Sequence, residues 1–489
     1  MSSPTVPVRI VMDVTTCGRW VGPDVGIVRV ERRLADWARR ACDGGVFVVF
    51  DPRDQIYRSV EPRWMAPLLA AACTLQDRNP PDAAQPRRHF LDRVPAPLRP
   101  AASWALQFRR QALASLEDWR LTTSSERTAR LLDRAQRAFM TEKYQRLMVR
   151  PDGSRRDQLH LDIAAPRPHD WQSGDIFVCA GSPWGNANVR VLAALKQRHG
   201  FRFAMVCHDI IPLLFPQFYK PGDVAAFGDY HSVAFGLADL VLCATRTVER
   251  DAHDYCRKTG LALGRTAIVP FGADAVAGRA SAEAVPRLGL TAGRFILLVG
   301  TIEPRKGHRL MLQVWQRLMA AGMTQCAGWK LVFVGRRGWM VDELLADIDA
   351  MQQRTGTLLA LCDLDDALLS ALYEDAAFCV YPSLYEGYGL PIVEAFLHGR
   401  AVIASRGGAI PEVVGDLSLC IDADDGEAWY ETIVRWIEDP SERRRYEDRL
   451  HTCFQRTTWD EAACAVFEAI VADADPRRLP ATATDVAPV

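Results

Sequence analysis

The feature that most constrains the fold of this chain is a series of short apolar runs separated by segments with helical spacing of apolar residues. The runs are residues 8–12, 46–50, 176–179, 203–206, 240–243, 266–269, 295–299, 331–334, 378–381 and 401–404. This alternation is typical of parallel sheets built from βαβ units. Because 489 residues are too many for one core, we predict an α/β protein with two doubly wound domains that face one another.

The composition predicts where the domains begin and end. We expect an N-terminal domain over residues 1–275 and a second domain over 290–440, joined by a linker rich in Gly, Ala, Pro and Asp. Residues 441–475 are expected to form helices that pack back toward the N-terminal domain. The tail 477–489, rich in Pro, Ala and Thr, is expected to be disordered.

Composition and charge exclude several classes of function. The formal net charge of -1 gives no indication of nucleic-acid binding. The 13 cysteines include no CxxC pair and no zinc-type spacing, and scattered thiols favour a reducing compartment. The sequence has no signal-peptide pattern and no apolar run of about 18 residues. We therefore predict a cytoplasmic protein that is soluble or peripheral on the inner face of the membrane.

A basic insertion over about residues 80–160 interrupts the first domain. Several prolines are followed by two helix-like stretches, and residues 87–156 contain 16 Lys or Arg but only 7 Asp or Glu. Aromatic residues such as Trp104 and Trp119 lie among the arginines. One interpretation is a surface that binds an anionic membrane holding a lipid-linked acceptor. The other is a helical elaboration packed on the N-terminal domain with solvated arginines.

Two glutamates, Glu386 and Glu394, lie eight residues apart after the run 378–381. Gly387 and Gly389 allow backbone N–H groups to approach a phosphate. Pro391 suits the first position of a helix, so Glu394 is expected in its first turn. Carboxylates accept hydrogen bonds from the hydroxyl pairs of sugars, which favours an activated sugar at the carboxyl edge of the sheet. The alternative is a capped helix with two solvated acids.

A pair of cations, Arg305 and Lys306, follows the run 295–299 between Gly300 and Gly307. Two positive charges at the end of a strand can neutralise a diphosphate leaving group. Their stabilisation would grow as the bond to that group breaks. The alternative is an ordinary basic turn.

A histidine, His208, lies at the end of the run 203–206 and is followed by Asp209. His208 could hydrogen-bond a transferred sugar or an acceptor across the cleft. The alternative is a loop histidine satisfied by a neighbouring carbonyl. Asp209 is interpreted either as an acceptor-side base or as a turn acid.

These motifs together resemble a known family. The segments LLVGTIEPRKGH (297–308), GRRGW (335–339) and YPSLYEGYGLPIVEAFLHGRAVIASRGGAIPEVVGD (381–416) are similar to glycosyltransferase family 4. The resemblance is dense over 295–425, thinner over 203–274 and 22–34, and absent over 75–160. It implies the GT-B fold, transfer from a sugar-nucleotide donor with retention of configuration, and independence of metal or any other cofactor.

The resemblance also implies roles for named side chains. Glu394 would bind the nucleotide ribose, and Glu386 would hold hydroxyls of the donor sugar. Arg305 and Lys306 would bind the diphosphate. His208 falls where the family often has a histidine that touches the donor sugar.

Backbone groups complete the donor site that the resemblance implies. Gly300, Gly387, Gly389 and Leu390 would lie close to the phosphate or sugar. Gly26 resembles the N-terminal glycine loop that faces the donor, although residues 21–26 lack the adjacent glycines of the family pattern.

The segment His208–Pro212 and the GRRGW loop resemble the branch that builds bacterial surface polysaccharides. This implies mannose transfer from GDP-mannose to a growing glycan such as an O-antigen or other lipopolysaccharide chain, with a lipid-linked acceptor as one form. Front-face displacement is the mechanism favoured for such enzymes. The alternatives are a sugar-nucleotide epimerase or glycoside phosphorylase of the same fold, and a non-catalytic transferase-like partner.

Overall fold

The computed structural model describes residues 9–21, 24–42, 44–52, 54–70, 74–76, 128, 158–274, 281–322 and 328–474. The predicted tail 477–489 lies outside these residues. So does the predicted membrane-binding stretch 87–156, apart from position 128.

The strands of the described chain are short and lie mostly where apolar runs predict them. They are β1 (Arg9–Asp13), β2 (Val46–Asp51), β3 (Ile56–Ser59), β4 (Thr74–Gln76), β5 (Gln158–His160), β6 (Arg167–Pro168), β7 (Asp175–Cys179), β8 (Arg202–Cys207), β9 (Leu240–Cys243), β10 (Arg265–Ile268), β11 (Phe295–Val299), β12 (Lys330–Val334), β13 (Leu358–Leu361), β14 (Phe378–Tyr381), β15 (Val402–Ser405) and β16 (Leu419–Ile421).

Helices separate most of these strands. They are α1 (Thr15–Arg19), α2 (Gly26–Ala41), α3 (Pro62–Leu69), α4 (Leu161–Ala164), α5 (Val189–His199), α6 (Ile211–Leu214), α7 (Pro221–Leu237), α8 (Arg246–Thr259), α9 (Ala284–Arg287), α10 (His308–Ala320), α11 (Asp342–Thr355), α12 (Asp366–Asp375), α13 (Leu390–Leu397), α14 (Ile410–Val414), α15 (Gly426–Glu438), α16 (Ser441–Cys453) and α17 (Trp459–Ala474).

The N-terminal sheet has the order β10-β9-β8-β7-β1-β2-β3-β6. Its six strands from β10 to β2 are parallel, with Val11 of β1 opposite Val46 and Phe177 in the neighbouring strands. At the other edge β3 pairs antiparallel with β2 and with β6. These two strands were not predicted, because they are short and polar and β3 includes Arg58, which pairs with Asp51. A separate two-stranded sheet joins β4 to β5.

The C-terminal sheet is entirely parallel, in the order β13-β12-β11-β14-β15-β16. The four central strands are the predicted apolar runs, and their side chains lie in cores on both faces of the sheet. The edge strands β13 and β16, with the sequences LLAL and LCI, were not predicted; most of their residues are only partly buried.

The last two helices pack on different domains. Leu450 of α16 lies in a core of the C-terminal sheet. In α17, Phe467 stacks on Trp37 of α2 with ring centroids 5.0 Å apart, and Trp459 lies in the N-terminal core. The backbone N–H of Ala273 also donates to the Thr457 carbonyl at 2.9 Å. The end of the chain therefore returns to the N-terminal domain through α17.

Candidate active site

A cavity of about 300 Å³ lies where the carboxyl ends of the two sheets meet. The N-terminal domain lines it with residues that end β7 and β8 and with one face of α7. The C-terminal domain contributes Glu303 and Arg305, which follow β11, and Trp339, which follows β12. This is the position at which open parallel sheets bind their ligands.

The predicted cations and one predicted glutamate meet beside this cavity. A 3₁₀ turn over Pro304–Lys306 presents both cations to Glu386. Arg305 Nη1 lies 2.8 Å from Glu386 Oε2, and Lys306 Nζ lies 2.6 Å from Oε1. Gly307 ends the turn with a φ of 74°, and a Cβ there would lie 2.3 Å from the Pro382 carbonyl oxygen. The close packing of this turn therefore requires glycine.

The charge of Glu386 is fixed by its neighbours. Burial alone would raise the pKa of this carboxyl, but the charges of Arg305 and Lys306 lower it to about 2. The hydroxyl of Tyr381 donates a further hydrogen bond to Oε1 at 3.1 Å. Arg305 also contacts Glu303 at 2.9 Å, and burial raises the pKa of that second carboxyl. Glu386 is thus an ionised carboxylate with fixed geometry.

The expected position of Glu394 in the first turn of a helix is wrong. Helix α13 begins at Leu390, with Gly389 before it at a φ of 104°, so Pro391 is the second residue and Glu394 the fifth. The glycine lets the helix begin one residue earlier than the proline suggested. Glu394 therefore lies in the second turn, where the helix terminus attracts a carboxylate less strongly.

Glu394 contacts the N-terminal domain through a residue that the sequence did not indicate. Its Oε1 forms an ion pair with Arg29 of α2, and its Oε2 accepts a hydrogen bond from the Tyr373 hydroxyl at 3.1 Å. Arg29 also lies 3.8 Å from Asp366. Nothing in the sequence near Arg29 distinguishes it from the other arginines of α2, because its partners come from the other domain.

Two of the predicted glycines, Gly26 and Gly387, lie where the domains touch. Gly26 is the first residue of α2, and a Cβ there would lie 3.6 Å from the Leu390 side chain. A Cβ on Gly387 would lie 2.4 Å from the His208 carbonyl oxygen. The carbonyl of Gly387 also accepts a hydrogen bond from the Thr245 hydroxyl at 3.0 Å. Gly300, after β11, bonds within its own domain, where its N–H donates to the Val334 carbonyl at 2.9 Å.

His208 has the carbonyl partner of the second interpretation and also lies at the cavity. Its side chain lines the cavity, and its Nε2 donates to the Ala180 carbonyl at 2.8 Å. Burial lowers the pKa of the ring, so the imidazole is neutral and Nδ1 has a free lone pair. Asp209 also lines the cavity, and its Oδ1 accepts the Ile211 N–H at 3.0 Å, as a turn acid does.

Comparisons with known proteins identify the second domain. Residues 293–439 match the family described as "Glycosyl transferases group 1". The C-terminal domain is therefore similar to this glycosyltransferase family. The match covers the turn with both cations and both glutamates, Glu386 and Glu394.

Two curated relatives each match part of this chain. The O-antigen chain mannosyltransferase B of Escherichia coli is 35% identical over 175 residues, which is 36% of this chain and 45% of the relative. The MMP alpha-(1->4)-mannosyltransferase of Mycolicibacterium hassiacum is 30% identical over 197 residues, covering 38% of this chain and 46% of the relative. The chain thus spans less than half the length of these relatives. The predicted relation to bacterial mannosyltransferases is confirmed.

The fold extends over both domains. The structure of Anabaena HepE in complex with UDP and glucose aligns with 95% of this chain and 100% of its own, at a TM-score of 0.56 and 14% identity. A second HepE structure gives a TM-score of 0.54 with 95% and 99% coverage. The predicted GT-B fold, with two Rossmann-like domains, is confirmed.

The GRRGW loop of the glycosyltransferase domain reaches the N-terminal domain. Trp339 Nε1 donates to the Phe218 carbonyl at 2.8 Å, and its ring lies 5.6 Å from that of Tyr219. The guanidinium of Arg336 lies over the ring of Trp20 at 5.0 Å. The sequence indicated this loop only through resemblance, and the structure shows that it forms one side of the cavity.

Two buried carboxyls of the N-terminal domain were also not predicted. Glu31 Oε1 accepts the Cys17 N–H at 2.7 Å, and a Cβ on Gly181 would lie 1.6 Å from Oε2. Burial raises the pKa of Glu31 to about 8 and that of Asp13 to about 6. Because Gly181 lines the cavity, Glu31 lies directly behind the cavity wall. A glutamate on the apolar face of α2 was the available indication.

No three His, Cys, Asp or Glu side chains of the described ranges are grouped so that they could hold a metal ion. The Asp363–Asp365 pattern belongs to a helix start, because Asp365 Oδ1 accepts the Leu368 N–H at 2.7 Å. Among the helices that the structure describes, none is both long and apolar enough to cross a bilayer.

Proposed function

We propose that this protein is a retaining glycosyltransferase that moves mannose from GDP-mannose to a growing bacterial surface glycan. The observation that supports this most directly is the contact of Arg305 and Lys306 with Glu386 at the mouth of the cleft. A binding module has no need for two partly buried cations held at a sugar-binding carboxylate, whereas a transferase needs them as the leaving group departs.

In this proposal Arg305 and Lys306 bind the diphosphate, and Glu386 orients the hydroxyls of the donor sugar. The acceptor hydroxyl oxygen forms a bond to the anomeric carbon on the face from which the diphosphate leaves. The bond from that carbon to the phosphate oxygen breaks, and the hydroxyl proton passes to the leaving phosphate. Neutral His208 hydrogen-bonds the sugar, and backbone groups near Gly389 approach the phosphate.

Glu394 receives the ribose in the same proposal. In the structure its carboxylate is paired with Arg29, so a ribose hydroxyl pair must take the place of that guanidinium. Tyr373 holds the other carboxylate oxygen and keeps it in position during the exchange. Binding of the donor is therefore coupled to an interdomain contact.

The choice of mannose rests on the relatives. The Escherichia coli protein is named as an O-antigen chain mannosyltransferase, and three further relatives as serotype-specific mannosyltransferases. A lipid-linked glycan acceptor and attachment of residues 87–156 to an anionic membrane extend this proposal. Independence of metal follows from the same two cations, which take the place of a metal at the diphosphate.

A thermal-shift screen with GDP-mannose, UDP-glucose and a dTDP-sugar tests the donor. A ligand at 100 times its Kd stabilises the native state by about 2.7 kcal/mol, so we expect GDP-mannose to raise Tm most. Product analysis by NMR then tests the reaction, with Glu427→Gln, an exposed glutamate of the same domain, as the control for Glu386→Gln. We expect slow donor hydrolysis to mannose and GDP without acceptor. Isomerised donor would indicate an epimerase, and absence of binding to any sugar nucleotide would contradict the enzyme.

A further inference from the structure

We infer that the start of helix α8, in the N-terminal domain, holds in place the loop that carries Glu386, and that Thr245 and Glu412 are positioning residues for transfer. The loop comprises residues 385–389 and is called the donor loop. This inference rests on the proposed function and adds two residues to it. Both residues act through the donor loop and not through contact with the donor itself.

Two tyrosines, on either side of Gly387, bond the donor loop to the N-terminal domain. The Tyr385 hydroxyl donates to Asp251 Oδ2 of α8 at 2.6 Å, and the Tyr388 hydroxyl donates to the Phe271 carbonyl at 3.0 Å. Burial raises the pKa of both hydroxyls, so they remain protonated donors at neutral pH. The position of the donor loop therefore depends on the domain to which it does not belong.

Thr245 adds a third contact with the donor loop and also caps α8. Its hydroxyl donates to the Gly387 carbonyl at 3.0 Å and accepts the Val248 N–H at 3.2 Å. Thr245 is only 2% exposed, so water does not compete for these bonds. One hydroxyl group thus fixes both the first turn of the helix and the centre of the donor loop.

Glu412, on α14 of the C-terminal domain, contacts the same end of α8. Its Oε1 accepts the Arg246 N–H at 2.7 Å, and its Oε2 accepts both the N–H and the hydroxyl of Thr247 at 3.0 Å. The first N–H groups of a helix have no partner within the helix, and the helix dipole favours an anion beside them. Glu412 supplies this anion from the other domain, which fixes α14 against α8.

A short series of contacts joins Glu412 to Glu386. Helix α14 begins at Ile410, directly after Ala409, whose N–H donates to the Glu386 carbonyl at 2.8 Å. A Cβ on Gly408 would lie 2.4 Å from the same carbonyl oxygen, so this turn packs closely on the donor loop. Movement of α14 relative to α8 would therefore displace the backbone of Glu386, whose carboxylate contacts both cations.

The first experiment measures hydrogen exchange by mass spectrometry with residue-resolved fragmentation, and it requires no turnover. In Glu412→Ala, the N–H groups of Arg246 and Thr247 should exchange about fivefold faster, because a capping interaction is lost. The Ala409 N–H reports the bond to the donor loop. It should also exchange faster, by about threefold.

Glu461→Ala is the matched control for this measurement. Glu461 accepts the N–H and the hydroxyl of Thr458, the groups that Glu412 accepts from Thr247, but it does so at the start of its own helix, α17. Exchange at Ala409 should be the same in Glu461→Ala as in wild type. Unchanged exchange at Ala409 in Glu412→Ala would overturn the inference, because Glu412 would then cap α8 without holding the donor loop.

The second experiment measures the kinetics of mannose transfer from GDP-mannose to mannobiose. Thr245→Val removes the hydroxyl, and Glu412→Ala removes the carboxylate. Each should lower kcat about 5–20-fold and change KM for GDP-mannose by less than about threefold, because a misplaced loop impairs the reacting geometry more than binding. Thr245→Ser keeps the hydroxyl and should remain within about twofold of wild type. An equal loss of kcat in the Ser and Val variants would overturn the role of the hydroxyl.

The two measurements separate this inference from the proposed function. If wild type neither transfers mannose from GDP-mannose nor hydrolyses it, the proposed function is refuted, while faster exchange at Ala409 in Glu412→Ala still supports the hold on the donor loop. If wild type transfers mannose and Thr245→Val and Glu412→Ala match its kcat, the transferase is supported and the positioning role of both residues is refuted.

Discussion

The two walls of the cleft shift the pKa of their buried glutamates in opposite directions. In the C-terminal wall, Glu386 is 5% exposed and its pKa falls to about 2, because Arg305 and Lys306 lie against it. In the N-terminal wall, Glu31 is 1% exposed and its pKa rises to about 8, because burial outweighs its hydrogen bonds. The two glutamates are buried to a similar extent, so the presence or absence of cationic partners decides whether each one is charged. One wall holds its buried glutamate as a fixed charge, and the other holds its buried glutamate as a neutral hydrogen-bonding group. We name them the charged wall and the neutral wall after these two glutamates.

Substitution of Glu386 in the charged wall should have the largest effect on the rate of transfer. Glu386→Gln removes the anion that orders both cations and that, in the proposed function, orients the sugar hydroxyls. We expect transfer to fall by about 10²–10³-fold. The rate of mannose transfer from GDP-mannose measures this, with circular dichroism to show that the fold is intact. The control Glu427→Gln changes an exposed ion pair and should remain within about twofold of wild type. Transfer at the wild-type rate in Glu386→Gln would show that the charged wall is not the donor site.

The contact between the walls is tested by Gly387→Ala. The added Cβ would lie 2.4 Å from the His208 carbonyl oxygen and 2.8 Å from the Asp209 Cβ, so the walls must separate. We expect kcat/KM to fall by about 10–100-fold, because misplaced reacting groups lose orientation. Nucleotide binding should change little in calorimetry.

Gly222→Ala is the matched control for this substitution, since a Cβ there meets nothing within 4 Å. It should behave as wild type. If Gly387→Ala retained full transfer, close apposition of the walls in this geometry would not be needed for the reaction.

The neutral wall is tested through the pH dependence of stability. The pKa of Glu31 is raised on folding from its usual 4.5 to about 8, so its contribution is fully present below pH 4.5 and is lost as pH rises through 8. Relative to Glu31→Gln, wild type should therefore lose free energy of unfolding at up to about 1.4 kcal/mol per pH unit within that window. Urea unfolding at pH 5, 6, 7 and 8 measures the difference.

Urea unfolding of wild type and Glu386→Gln between pH 5 and pH 2 should give a slope of the opposite sign. The pKa of Glu386 is lowered to about 2, so its contribution is present above pH 4.5 and is lost as pH falls toward 2. Parallel stability curves for wild type and Glu31→Gln between pH 5 and 8 would contradict the contrast between the two walls.

The smallest expected effect concerns the ion pair between Arg29 and Glu394, which joins the two walls. Arg29→Ala frees Glu394 for the ribose and should tighten GDP binding by about threefold, as expected for a partly exposed ion pair. Calorimetry measures the change, and Arg39→Ala, whose ion pair with Asp36 is on the surface, is the control. Weaker binding of GDP by Arg29→Ala would mean that Arg29 itself contacts the nucleotide.

The sequence predicted the charged wall far better than the neutral one. Arg305, Lys306 and Glu386 follow apolar central strands, and residues that end neighbouring parallel strands meet at one edge of a sheet. The partner of Arg29 comes from the other domain, and that of Glu31 from a separate helix, α1, so no local pattern indicates them.

Prediction of the strands from the sequence has the same limit at the edges of the two sheets. The central strands are continuous apolar runs because both faces are buried, and they were predicted. The edge strands were missed: β3 mixes apolar and polar residues, and β13 and β16 are short and mostly only partly buried. The start of α13 was misjudged because Gly389 allowed a left-handed residue before Leu390.

The return of α17 to the first domain has a consequence for how the protein can be divided. Trp459 and Phe467, near the end of the chain, lie in the same core as β1 and α2. A fragment of residues 1–275 would expose that core, and a fragment starting at 290 would carry an unpaired apolar helix. The polypeptide passes from one domain to the other twice, so opening of the cleft is restricted to rotations that both crossings permit. The two halves are structurally distinct, yet they cannot be separated by a single cut.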